Sequence, residues 1–166
     1  MQKLIILRGN SGSGKTTVAK MLQQKFGENT MLISQDMIRR EILKVSDGAD
    51  TKALPFLKEL LRYGREHSDV VILEGILVAE WYRSLFELAV ELYGENLYAY
   101  YFDIPFEETI RRHKTRAKCE EFGEKEMRDW WVDQDFSPIL HEERITPDLD
   151  QDTIVQKIYE AVSSNP

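Results

Sequence analysis

Residues Gly9-Asn10-Ser11-Gly12-Ser13-Gly14-Lys15-Thr16 fill every specified place of G-x-x-x-x-G-K-[ST]. The segment lies between an apolar run, Lys3 to Leu7, and an amphipathic stretch through Val18, Ala19, Leu22 and Phe26. A strand that turns at once into a helix is the unit from which parallel α/β sheets are built, so this placement constrains the fold more than any other feature. The glycines permit backbone conformations that a Cβ obstructs, and successive N–H groups can then face one concavity with a helix dipole behind them. Such a concavity suits phosphate oxygens. Lys15 adds a point charge to it, Thr16 offers a hydroxyl suited to Mg²⁺, and Thr17 continues the first helical turn.

The rest of the chain repeats the alternation. Apolar runs at Met31 to Ser34, Val70 to Leu73, Leu97 to Phe102 and, more weakly, Glu143 to Ile145 read as further strands. Continuous apolar runs such as Val70-Val71-Ile72-Leu73 suit a sheet covered on both faces, and the spacing therefore predicts an α/β sandwich with a mostly parallel sheet. The first helix is expected to end at Gly27 in a left-handed cap, and Pro105 fits a helix N-terminus. Later helices are predicted over Asp36 to Leu43, Thr51 to Glu66, Ala79 to Leu92, Phe106 to Ala117, Glu124 to Asp133 and Asp152 to Val162. Repeats, low-complexity tracts and long linkers are absent, and the 166 residues fit one domain.

Composition narrows the partners. A net charge of −7 disfavours the broad basic face that nonspecific nucleic-acid binding requires, although a local basic cleft remains compatible with it. No apolar run reaches membrane-spanning length, and the start of the chain reads as a strand, not a cleavable leader, so the expected location is cytoplasmic. Cys119 is the only cysteine, which rules out an intramolecular disulfide and reads as an incidental thiol.

Several polar residues fall where open α/β sheets bind ligands, at the carboxyl ends of strands. After the second strand, Ser34-Gln35-Asp36-Met37-Ile38-Arg39-Arg40 places a carboxylate and two guanidiniums there. Asp36 can accept or orient the proton of an attacking hydroxyl, or cap the helix that follows; Arg39 or Arg40 can bind an anionic part of an acceptor. Glu74, ending the third strand, is a candidate to hold a metal's water shell, or to act as the base. Arg112 and Arg116, spaced i, i+4, with Arg111 beside them, form a basic patch able to stabilise charge dispersed on a transferring phosphoryl group. Pairing with Glu107, Glu108, Glu120 and Glu121 on an exposed face is the plainer use of those arginines. Trp130 and Trp131 read first as packing residues, with stacking on a base or sugar as the other use, and Asp133 and Asp135 could collect an amine. Neither an Asn-Lys-x-Asp guanine-reading segment nor the Asp-Glu pair of longer motor and AAA-type ATPases is found.

Taken together, the glycine-rich motif, Asp36 with Arg39, and Phe102-Asp103-Ile104-Pro105 followed by arginines resemble the P-loop kinases of nucleoside-monophosphate-kinase fold. The likeness is to their branch of polynucleotide kinases, zeta-toxin-like kinases and small antibiotic phosphotransferases. It implies a three-layer α/β sandwich whose five parallel strands run in the order 2-3-1-4-5, with a small helical lid over about residues 111–126. It also implies an ATP-dependent kinase using Mg²⁺, with adenine near Ile145-Thr146-Pro147 and a small-molecule hydroxyl as acceptor: a nucleoside, sugar nucleotide or antibiotic-like compound. A polynucleotide 5′-hydroxyl is the alternative acceptor, and a nucleotide-dependent switch the alternative of another class. The chain lacks the dedicated monophosphate-binding segment of adenylate kinases, so their substrate does not carry over.

Overall fold

A computed structural model describes residues 1–115 and 122–166. Five parallel strands form one sheet in the order β2-β3-β1-β4-β5. They are β1 Lys3–Gly9, β2 Thr30–Ser34, β3 Val70–Gly75, β4 Leu97–Phe102 and β5 Glu143–Ile145. The helices are α1 Lys15–Phe26, α2 Gln35–Met37, α3 Ala53–His67, α4 Arg83–Tyr93, α5 Phe106–His113, α6 Glu124–Trp130 and α7 Gln151–Ser163. A π-helical stretch, Ile38–Leu43, continues α2.

The apolar runs are unbroken because each strand serves two cores. Leu4, Ile6, Val71 and Leu73 point to the face covered by α3 and α4, where Leu57, Leu61, Phe86 and Ala89 meet them. Ile5, Leu7, Val70 and Ile72 point to the opposite face, against Val18 and Leu22 of α1 and Ile154 and Ile158 of α7. Polar residues at either set of positions would lose hydration with no partner. The order and register then align the strand ends: Ser34 pairs with Glu74, and Leu7 with Glu74 from the other side. Three carboxyl termini thus open into one cleft.

Helix boundaries differ from the expected ones for local reasons. Gly27 does end α1 with φ of 84°, but its ψ of −139° lies outside the left-handed helical region. Thr51 precedes α3 instead of starting it, its Oγ1 accepting from the Ala53 N–H at 3.2 Å. Residues 79–82 form turns, and α4 begins only at Arg83; the Asp135 carboxylate takes the Ala79 N–H at 2.8 Å. Helix α6 stops at Trp130 because Asn10 captures the chain just beyond it: its Oδ1 accepts from the Val132 N–H at 2.9 Å and its Nδ2 donates to the Val132 carbonyl at 2.6 Å. Helix α5, expected to reach Ala117, ends at His113, with Lys114 and Thr115 in a turn whose N–H groups donate to the Ile110 and Arg112 carbonyls; Arg116, Ala117 and the middle of the anticipated lid lie outside the described residues. No described helix is long and apolar enough to cross a membrane.

Candidate active site

The turn between β1 and α1 adopts the conformations that its glycines allow. Gly9, Gly12 and Gly14 have φ of 151°, 82° and 98°. A Cβ on Gly9 would lie 2.9 Å from the Phe102 backbone oxygen, and one on Gly12 would lie 2.8 Å from that of Thr109. Both positions are therefore closed to side chains, whereas Gly14 holds the N-cap of α1, the end of a helix that carries free N–H groups and suits an anion. Lys15 is buried across this cradle, its Nζ donating to the Asn10 carbonyl at 3.1 Å. Ser13 Oγ is buried without a described hydrogen-bond partner at the inner wall of the cradle.

Glu74 is 2% exposed at the end of β3. Its Oε1 accepts from Thr16 Oγ1 at 3.1 Å and from Ser34 Oγ at 2.8 Å. The described partners of this buried carboxylate are two neutral hydroxyls, an arrangement costly for an anion unless a cation joins it. Thr16, Ser34 and Glu74 form a hard oxygen donor set beside a phosphate cradle, which fits Mg²⁺, an ion that takes few protein ligands and keeps several waters. Ser34 was not singled out in the sequence; its signal was its place at a strand end one ladder step from Glu74.

Across the cleft, Asp36 Oδ1 accepts from Arg39 Nη2 at 3.0 Å and from Arg40 Nε at 2.7 Å. Asp36 is the second residue of α2, so the capping alternative fails; Ser34 holds the N-cap position. Arg40 is spread further, its guanidinium lying 5.3 Å from the Trp130 ring centroid and 5.9 Å from that of Phe122. The cleft enclosed by these groups measures about 940 Å³ and is lined by Lys15, Thr16, Asp36 and Glu74 among others. That volume suits a nucleotide with a small acceptor.

Arg112 approaches the cradle from outside the cleft lining. Its Nη1 donates to the Ser13 carbonyl at 2.9 Å, and its Nε to Glu108 at 3.0 Å. Arg111 pairs with the same Glu108, and the two guanidiniums, Arg111 first, hold that carboxyl down at about 2. The plainer reading of Arg111 as an exposed ion-paired residue is thus what the structure displays, while Arg112 also braces the cradle. Trp131 packs edge-on against Phe106 at 5.2 Å. Asp135 is not open to an amine, because Arg8 holds it at 2.8 Å.

Arg8 was missed. It is fully buried at the end of β1, immediately before the cradle. Its guanidinium donates to both oxygens of Glu142, to the side chain and carbonyl of Asp135, and twice to the Leu77 carbonyl. The one signal available was a charge inside an otherwise apolar strand.

A family model described as an AAA domain matches residues 4–130. The chain belongs to that family. The match corrects the expectation that set AAA-type ATPases aside together with the longer motor ATPases, although β3 ends in Leu73-Glu74-Gly75 without their Asp-Glu pair. Within this AAA-domain family the chain has the sheet order of P-loop kinases, and solved structures share it over nearly the whole length. The APS kinase CysC from Mycobacterium tuberculosis, solved with AMPPNP and APS, is 20% identical with a TM-score of 0.63, covering 98% of each chain. A gluconokinase from Sinorhizobium meliloti 1021 is 15% identical with a TM-score of 0.64, over 98% of this chain and 92% of that one. The shikimate kinase from Acinetobacter baumannii, solved with shikimate, is 20% identical with a TM-score of 0.56, over 99% and 95%. No curated protein matches the sequence.

Proposed function

We propose that this chain is an ATP-dependent phosphotransferase that moves the γ-phosphoryl group of ATP to a hydroxyl of a small molecule. The observation that carries this reading is the opposition, across one cleft, of the Thr16–Glu74–Ser34 oxygen set at the phosphate cradle and the arginine-held carboxylate of Asp36. The three kinases named above act on acceptors as different as APS, gluconate and shikimate, so the shared fold leaves the acceptor to be decided by the cleft.

The cradle N–H groups and Lys15 bind the phosphate oxygens and hold the γ-phosphorus facing Asp36. Thr16 and Glu74, directly or through its waters, would hold Mg²⁺, which when bound neutralises charge on the β- and γ-phosphates. Asp36 accepts the hydrogen bond of the acceptor hydroxyl and aims its oxygen in line. As the new P–O bond forms, the bond from the γ-phosphorus to the bridging oxygen breaks with its electrons left on ADP. The hydroxyl proton passes to Asp36 and then to solvent. Arg39 and Arg40 keep Asp36 oriented, and Arg112 steadies the cradle through Ser13. Arg116, spaced four residues on, remains a candidate for the transferring phosphate.

The test is transfer of label from γ-labelled ATP to a pooled set of nucleosides, sugars, sugar nucleotides, aminoglycoside-like compounds and oligonucleotides. A labelled product should form with Mg²⁺, disappear with EDTA, and disappear in Lys15→Ala. Labelling that survives Lys15→Ala would sink the mechanism. Labelling of the oligonucleotides alone would move the assignment to a polynucleotide 5′-hydroxyl kinase, for which Asp36 with Arg39 speaks and the net charge of −7 does not. Slow hydrolysis indifferent to every acceptor would instead indicate a switch.

A further inference from the structure

All three tryptophans of the chain, Trp81, Trp130 and Trp131, line the cleft that contains Lys15 and Asp36. Trp131 packs on Phe106, and Trp130 already meets the Arg40 guanidinium and, edge-on at 5.0 Å, Phe122, but Trp81 is 36% exposed, although large aromatic side chains are ordinarily covered. An indole left open at a cleft offers a flat apolar face to a ring and, through its quadrupole, attraction to a cation.

The same cleft contains a carboxylate that the phosphoryl-transfer mechanism does not use. Asp47 Oδ1 accepts from the Tyr82 hydroxyl at 2.6 Å and from the Gly48 N–H at 3.0 Å, while Gln35 Nε2 lies 3.4 Å from Oδ2. Gln35 also donates to the Tyr82 oxygen at 2.9 Å, and both residues are buried, so the carboxylate is braced from the core. Burial, and then the bond to Asp47, push the Tyr82 hydroxyl above its ordinary range, which keeps it a donor. Asp47 is therefore fixed by neutral groups with acceptor capacity left at Oδ2, which can take O–H or N–H donors from a ligand, hydroxyl and ammonium among them.

Charge beside Asp47 points the same way. Among the described lining residues the cations Lys15, Lys20, Arg39 and Arg40 stand with Asp36, Glu41, Asp47, Glu74 and Asp129, and both arginines already donate to Asp36. Next to Asp47 itself a carboxylate on the acceptor would meet like charge, whereas an ammonium would be drawn in.

We infer that the acceptor is a polyhydroxylated ring carrying an amino group, its amine or adjacent hydroxyls on Asp47, its ring face on Trp81 and its reacting hydroxyl toward Asp36. This rests on the kinase reading above and names the substrate class of that site. The carboxylate that collects the amine is Asp47, not the Asp133 and Asp135 to which the sequence pointed.

Matched ring compounds test the inference: an aminocyclitol glycoside, glucosamine, glucose, gluconate and glucose 6-phosphate, each titrated against the full chain with AMPPNP and Mg²⁺. Quenching of the tryptophan fluorescence reports binding without turnover, and labelled ATP reports transfer. The amine-bearing rings are expected to bind at least tenfold more tightly than their neutral or anionic counterparts. Asp47→Asn, which keeps the size of the side chain and an acceptor for Tyr82, should erase that preference while leaving the AMPPNP affinity within twofold. Tyr82→Phe, which removes the brace on Asp47 together with the acceptor of Gln35 Nε2, should raise KM for the amine acceptor more than it lowers kcat. Tighter binding of gluconate or glucose 6-phosphate, a preference that persists in Asp47→Asn, or binding of none of the five overturns the inference. Lys15-dependent phosphorylation of an anionic acceptor sinks it and leaves the kinase reading standing. Tight amine binding with no transfer to any compound does the reverse.

Discussion

Two charged residues near the cradle serve different ends, and each can be tested alone. Asp36 faces the cleft and touches the acceptor in the mechanism above; Arg8 touches neither acceptor nor nucleotide. Asp36→Asn keeps the shape and the Oδ1 that accepts from both arginines but removes the charge and the proton acceptor. Turnover should fall about 10²–10⁴-fold with the nucleotide dissociation constant nearly unchanged. Equal losses in both, measured by initial rates and nucleotide titration, would reassign Asp36 to structure. Arg8→Met removes the one cation found, among the described residues, at Glu142, whose side chain is 1% exposed, and takes from Asp135 its ion pair with Arg8. Leaving those carboxylates unpaired should cost about 3–5 kcal/mol in urea unfolding, and adding Asp135→Asn with Glu142→Gln should restore much of it. A loss under about 1 kcal/mol would mean that the buried network contributes little.

Strands were the legible elements and helix ends the illegible ones, for one physical reason. A strand covered on both faces must be apolar throughout, and that requirement is written locally in Val70 to Leu73 or Leu97 to Phe102. The end of α6 is written elsewhere: Asn10, more than a hundred residues earlier, takes both polar groups of Val132. The late start of α4 depends in the same way on Asp135. The cradle, Asp36 and Glu74 were legible because motif and strand position coincide, whereas Arg8, Ser34 and Asp47 depend on partners that only folding brings near. Close packing of elements gives a further prediction. Gly64 sits on the buried side of α3, where a Cβ would stand 2.5 Å from Val71 Cγ2 and 3.3 Å from Met31 Sδ. Gly64→Ala gains up to about 1 kcal/mol of helix propensity, but the α3–β3 spacing has no room for the methyl group. The net effect should be a loss of about 1–2 kcal/mol in chemical denaturation, and a stabilised variant would show that α3 can shift away from the sheet.

At the scale of the whole molecule, nucleotide binding should be felt by both cores, because the cradle joins the two halves of the fold. Its strand, β1, lies at the centre of the sheet between β3 and β4, and its helix, α1, packs on α7 and β3. Its glycine-rich crest touches Thr109 of α5 and Met127 of α6 at the position of Gly12, and Arg112 grips it at Ser13. A ligand that binds only the folded cradle must therefore raise the stability of the whole cooperative unit, not of one loop. At a free concentration about a hundred times its dissociation constant, AMPPNP with Mg²⁺ should add about 2.7 kcal/mol. For a chain of this length that corresponds to a rise in Tm of roughly 5–11 °C. EDTA should reduce the rise by removing the ion that Thr16 and Glu74 are suited to hold, and Lys15→Ala should nearly abolish it. A rise of full size in Lys15→Ala would place the nucleotide somewhere other than the cradle. A normal rise that ignores EDTA would keep the cradle and remove Mg²⁺ from Glu74.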